Sequence, residues 1–88
     1  MPLFLLTPVD RHASDWTLSS ICEAVQVEAA TEERARRRAN EFFSKTANAA
    51  RTIGRDLRSP WDQRHLVIAR VIETPDPAVR LILAGDTP

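Results

Sequence analysis

Apolar positions along the chain fall into short runs bracketed by prolines, a segment that alternates every second residue, and one stripe that recurs every three to four residues. Leu3 to Thr7, LFLLT, lies between Pro2 and Pro8, and a run of that length between prolines predicts a strand. The polar connection VDRHASD follows. In WTLSSICEAVQVEA (Trp16 to Ala29) the later part alternates, with Ile21, Val25, Val27 and Ala29 on one side and Cys22, Ala24, Gln26 and Glu28 on the other. Period two with β-branched residues on one side predicts a half-buried strand, whose second face is expected to be the wet one.

Thr31 is placed to cap a helix, with Glu32 and Glu33 at the positive end of its dipole. At 100° per residue, Ala35, Ala39, Phe42, Phe43, Thr46 and Ala50 share one arc, which predicts an amphipathic helix of about four turns with Gly54 as its stop. Arg51 to Arg64 has no sustained period and reads as a connection. Within it, SPWD has the order of a short helical turn, with Ser59 as cap and Pro60 in the first position. HLVIARVIE (His65 to Glu73) and AVRLILAG (Ala78 to Gly85) predict two more strands, and TPDP between them reads as the turn of an antiparallel hairpin. The order is β-β-α-β-β. It predicts a single α+β domain over residues 1–88, with a mainly antiparallel four-stranded sheet and one amphipathic helix on one face.

That architecture leaves apolar side chains without cover. One helix covers one face, yet the first, third and fourth strands carry apolar residues on both parities. Leaving several such groups in water forgoes about 1.5–3 kcal/mol each, and a contiguous patch of this kind marks an interface. The residues expected on the open face are Phe4, Leu6, Val67, Val71 and Ile82. The expected partner is a second copy or another protein. The alternative is that the long connection carrying Leu57 and Trp61 folds under the sheet and covers it.

Charge changes this picture little. Twelve basic and twelve acidic side chains cancel, so the molecule exerts no strong long-range field. Residues 31–64 hold nine basic and five acidic groups, a balance of plus four, against three and seven elsewhere. A phosphate-contacting surface built from Arg34, Arg38, Arg51, Arg55 and Arg58 is therefore the first alternative function. Against it, Glu32–Arg36, Glu33–Arg37 and Glu41–Lys45 are i,i+4 pairs of the kind that neutralise a solvated helix face. There is also no zinc spacing, aromatic platform or glycine-rich phosphate loop. A second alternative is an acid–base site around Asp10, His12 and Asp15, without a nucleophile motif beside it. The single cysteine, Cys22, can form no internal disulfide and reads as a half-buried filler. Trp16 and Trp61 could line a ligand cleft, but two tryptophans beside a small core more often pack it. No metal or cofactor is implied. The N-terminal run has neither basic flank nor signal-peptide length, and no stretch approaches a membrane span, so a soluble, cytoplasmic location with no membrane contact is expected.

FLLTP, DW with Ser19 three residues after Trp16, VQVEAATEERARRRANEFF and SPW…LV together resemble small bacterial proteins of about this length that carry no assigned function, several of them alphaproteobacterial. The likeness covers most of residues 3–73. It implies a bacterial cytoplasmic origin and a strand-then-helix order, and it brings no functional residues with it. The sequence thus puts first a small non-enzymatic interaction module.

Overall fold

The computed structural model describes residues 1–44 and 59–87. The α+β class is as the pattern predicts: a four-stranded sheet with one α-helix packed on it. The strands are β1 (Leu3–Pro8), β2 (Val25–Glu28), β3 (Val67–Ile72) and β4 (Arg80–Ile82), in the spatial order β3-β1-β2-β4. The helix, α1, runs over Glu32–Phe43. Two 3-10 turns, Ser14–Leu18 and Pro60–Asp62, flank the core.

The expected hairpin between the last two strands does not form. β1 is antiparallel to both β2 and β3, and β4 is parallel to β2. So β3 and β4 run in the same direction at opposite edges, and no tight turn can join strands so placed. The prolines help explain why. Pro75 and Pro77 bias the residues before them away from helical turns, and the segment has no glycine or asparagine for a two-residue turn. Glu73–Val79 instead forms a strap that returns along the sheet. It bends at Glu73 and Thr74 and closes a turn in which the Val79 N–H donates to the Asp76 carbonyl at 3.1 Å, having crossed three strand spacings of about 4.8 Å.

The strap passes over the face of the sheet opposite α1, where Gln26 fixes it. The Gln26 side chain is fully buried. Its Nε2 donates to the carbonyls of Asp76 (2.9 Å) and Val79 (3.0 Å), while its Oε1 accepts from the Asp76 N–H at 2.6 Å. A residue expected to be wet is therefore the anchor of the crossover.

The other face of the sheet meets the helix. Register places Phe4 opposite Val27 and Val71, Leu6 opposite Val25 and Ala69, and Val27 opposite Ile82, so these side chains share that face. Ala35, Ala39 and Phe43 of α1 close over it, as the helical stripe predicts. Thr31 caps α1 by accepting the Arg34 N–H. The helix ends earlier than its apolar stripe suggests: Ser44 is extended and bridges to Ser19, and the Phe43 carbonyl accepts the Ser20 N–H. Thr46, Ala50 and the Gly54 stop lie outside the described residues, as does Leu57. The SPWD turn forms with Pro60 in its first position, though the Ser59 side chain makes no capping hydrogen bond, and it puts Trp61 into the core against Phe43 and Trp16, on the helix side rather than under the sheet.

Candidate functional site

The parity expected for the open face is the covered one. Phe4, Leu6, Val67 and Ile82 are buried in the core, and of the five residues named only Val71 is exposed. The reason lies in β2. Its apolar side, Val25 and Val27, pairs with Leu6 and Phe4, and its other side carries Gln26 and Glu28, which cannot pack under an alanine-lined helix. Register with β2 was the signal that could have settled the face, because β1 and β3 are apolar on both parities.

Apolar surface does remain open, elsewhere. On the face away from α1 lie Ile68, which is 55% exposed, and Leu81, with half-buried Leu3, Leu5 and Ile72 beside them. Val71, 59% exposed, projects from the helix-side face of β3, where α1 does not reach it. Leu83 is also exposed, just past β4. The strap covers the sheet around Gln26 and leaves the β3–β1 side with Ile68 and Ile72. Arg70 is the one charged residue in β3.

The arginines expected as a basic grip are divided among other tasks. Arg36 is buried, paired with Glu32 at 3.2 Å and donating to the Trp61 carbonyl at 3.3 Å. The i,i+4 pairing is as predicted, but the side chain is dry rather than wet. Glu33 and Arg37 do not come within ion-pair distance, and Lys45 lies outside the described residues. Arg38 Nη2 donates to the carbonyls of Leu83 (2.9 Å) and Asp86 (2.7 Å), clamping the C-terminal turn onto the helix. Glu28 assists there by accepting the Ala84 N–H. Arg34 and Arg37 are exposed and border a groove that also contains Arg38, Met1, Glu28 and Glu41, so its charge is mixed. Arg51, Arg55 and Arg58 lie outside the described residues.

Asp10, His12 and Asp15 do not converge. Asp10 takes a positive φ of 47° in a turn whose carbonyl accepts the Ala13 N–H, and its side chain is exposed, as is that of His12. Asp15 accepts a 2.6 Å hydrogen bond from Gln63 Nε2. No hydrogen bond or ion pair joins the three. Trp16 and Trp61 pack edge-to-face at 5.4 Å inside the core. Among the described residues, no cluster of three His, Cys, Asp or Glu side chains could hold a metal ion, and no helix is long and apolar enough to cross a membrane.

Cys22 is half-buried, and that burial pushes its thiol above the usual range, with the Arg11 charge opposing. A raised pKa leaves less thiolate at neutral pH, and the thiolate is the nucleophile. Cys22 is accordingly expected to react with a disulfide reagent at pH 7 more slowly than free cysteine, and to catch up as pH rises. Timed thiol titration reads this directly; a rate at or above that of free cysteine would contradict it.

Comparisons of the chain with models of protein families, with curated proteins and with solved structures give no match. The functional reading therefore rests on the molecule's own surface.

Proposed function

We propose that the chain is a small non-enzymatic interaction module that joins another protein chain through the apolar surface its sheet leaves open. The observation that carries this reading is the exposure of Ile68, Val71, Leu81 and Leu83 on a domain whose core is already closed by α1, Trp16 and Trp61. Among the described residues, these branched apolar groups stand on β3, on β4 and just past it, where neither α1 nor the strap covers them. A nucleic-acid reading has less support, since Arg38 is occupied by the C-terminal carbonyls and the groove beside Arg34 is partly acidic.

The test pairs wild type with the Ile68→Lys, Leu81→Lys double variant. Both replaced side chains are exposed, so the fold is expected to survive, checked by circular dichroism. Wild type is expected to self-associate in light scattering or to retain a protein partner from a bacterial lysate, and the folded double variant to do neither. Association that the double variant keeps in full, or a wild type with no protein partner of either kind, would overturn the reading.

A further inference from the structure

The two most exposed branched apolar side chains among the described residues, Val71 and Ile68, sit on the same strand but on opposite faces of the sheet. A partner lying on one face would cover one of them. Only a partner running along the edge of β3 meets both.

Backbone geometry fixes what that edge offers. The Ala29 N–H donates to Pro2 O, in the same register that pairs Phe4 with Val27, so alternate residues Phe4 and Leu6 direct their backbone groups to β2. Leu3, Leu5 and Thr7 then direct theirs to β3, where their partners are Ile72, Arg70 and Ile68. The Val9 N–H to Leu66 O bond, at 2.8 Å, continues that register and agrees with it. The N–H and C=O groups of Val67, Ala69 and Val71 consequently point away from β1. Val67 is fully buried and its N–H is already bonded to Gln63 O, so among the described residues the edge opens at Ala69 and Val71 and runs on toward Glu73.

We propose that this edge pairs antiparallel with the same edge of a second copy, about a two-fold axis at Val71, joining two four-stranded sheets into one of eight. The inference rests on the interaction-module reading and gives it a partner. The two-fold stands perpendicular to the sheet, so facing residues share a face and only every second register is available. Centring on Ala69 would require the N–H of Val67, which is taken. Centring on Arg70 would set two arginines directly against each other. Centring on Ile72 would put Pro75, which has no N–H, opposite Ala69. Centring on Val71 pairs Val71 with its copy and sets Ala69 against Glu73, the residue at which the chain bends out of the strand into the strap.

The side chains agree with this register. On the helix side Val71 covers its own copy. On the other face the aliphatic stem of Arg70 lies across from Ile72, a pairing that suits long and β-branched residues. The segment Ala69–Glu73 carries one positive and one negative charge, and the whole chain is neutral, so two copies approach without long-range repulsion. In its own composition β3 also has little edge protection: it is six residues long, with one charge and no proline, whereas the opposite edge strand, β4, has three residues. A short edge contact makes a weak dimer.

Ala69→Pro tests the proposal, because the Ala69 N–H points outward and its loss breaks no ladder bond within the chain. Wild type is expected to rise from one chain toward two in sedimentation equilibrium as concentration increases to about 1 mM. Folded Ala69→Pro is expected to remain a single chain. Independently of any variant, the amide hydrogens of Ala69 and Val71 in wild type should exchange several-fold more slowly at high concentration than at low, with Arg70 and Ile72 unchanged. A wild type that stays a single chain, exchange that ignores concentration, or a folded Ala69→Pro that still dimerises would each overturn the edge pairing. If Ala69→Pro dimerises and the Ile68→Lys, Leu81→Lys variant does not, the apolar-surface reading stands without the edge. If neither changes the mass of a dimeric wild type, both fall.

Discussion

Trp61→Ala is expected to remove most of the domain's stability. The side chain is fully buried, with its ring centroid 5.4 Å from that of Trp16 and 5.6 Å from that of Phe43. Truncating a large buried aromatic costs about 3–5 kcal/mol through lost transfer energy and the cavity left behind. The cost here includes a polar part as well. Trp61 Nε1 donates to Ser19 Oγ at 2.9 Å, so the buried hydroxyl of Ser19 loses the shorter of the two bonds it accepts, keeping only the 3.3 Å one from the Ile21 N–H. Small domains have only about 5–15 kcal/mol in total, and one of 88 residues stands toward the lower end. Urea unfolding followed by circular dichroism should show the midpoint collapse, with Trp61→Phe falling between the variant and wild type. A change under about 1 kcal/mol for the alanine variant would mean that Trp61 is not the keystone of the helix-side core.

Gln26→Leu should have the second-largest effect, and in a different place. Leucine fills nearly the same volume, so little cavity forms. What is lost is the set of bonds to the Asp76 N–H and to the carbonyls of Asp76 and Val79. Leaving buried backbone groups unsatisfied costs about 1–3 kcal/mol each where water cannot reach them. Because the strap can lift and hydrate, the net loss is expected at about 2–4 kcal/mol. The discriminating measurement is hydrogen exchange: amides of β4 and the strap should lose protection well before those of β1 and β3. Uniform loss across the sheet, or no loss, would show that Gln26 does not hold the crossover.

The contrast between these two residues explains what the amino-acid pattern reveals and what it conceals. The strands, the amphipathic stripe of Ala35, Ala39 and Phe43, the Thr31 cap and the SPWD turn are all written locally, in periods and caps that depend on neighbours a few residues away. Strand pairing is not local. Gln26 looks like the wet side of an alternating strand because its partners, Asp76 and Val79, come some fifty residues later and act through backbone atoms common to every sequence. Arg36 misleads in the same way: its pairing with Glu32 is readable at i,i+4, but its burial depends on the Trp61 carbonyl arriving from another element. The open apolar surface was legible as an excess of hydrophobic residues on three strands. Its membership was not, since only the pairing of Leu6 with Val25 and Phe4 with Val27 decides which parity lies beneath the helix.

The position of β1 has a consequence for how the molecule comes into being. Within the sheet, β1 is an interior strand, with Leu3 paired to Glu28 on one side and to Ile72 on the other. Its second neighbour is synthesised some sixty residues after it. Until Val67–Ile72 has been translated, LFLLTP has one unsatisfied flank, and such exposed strand edges are what chaperones hold and what aggregation recruits. The sheet therefore cannot close until the third strand is made, and the long sequence separation between β1 and β3 marks the domain as a slow folder for its size.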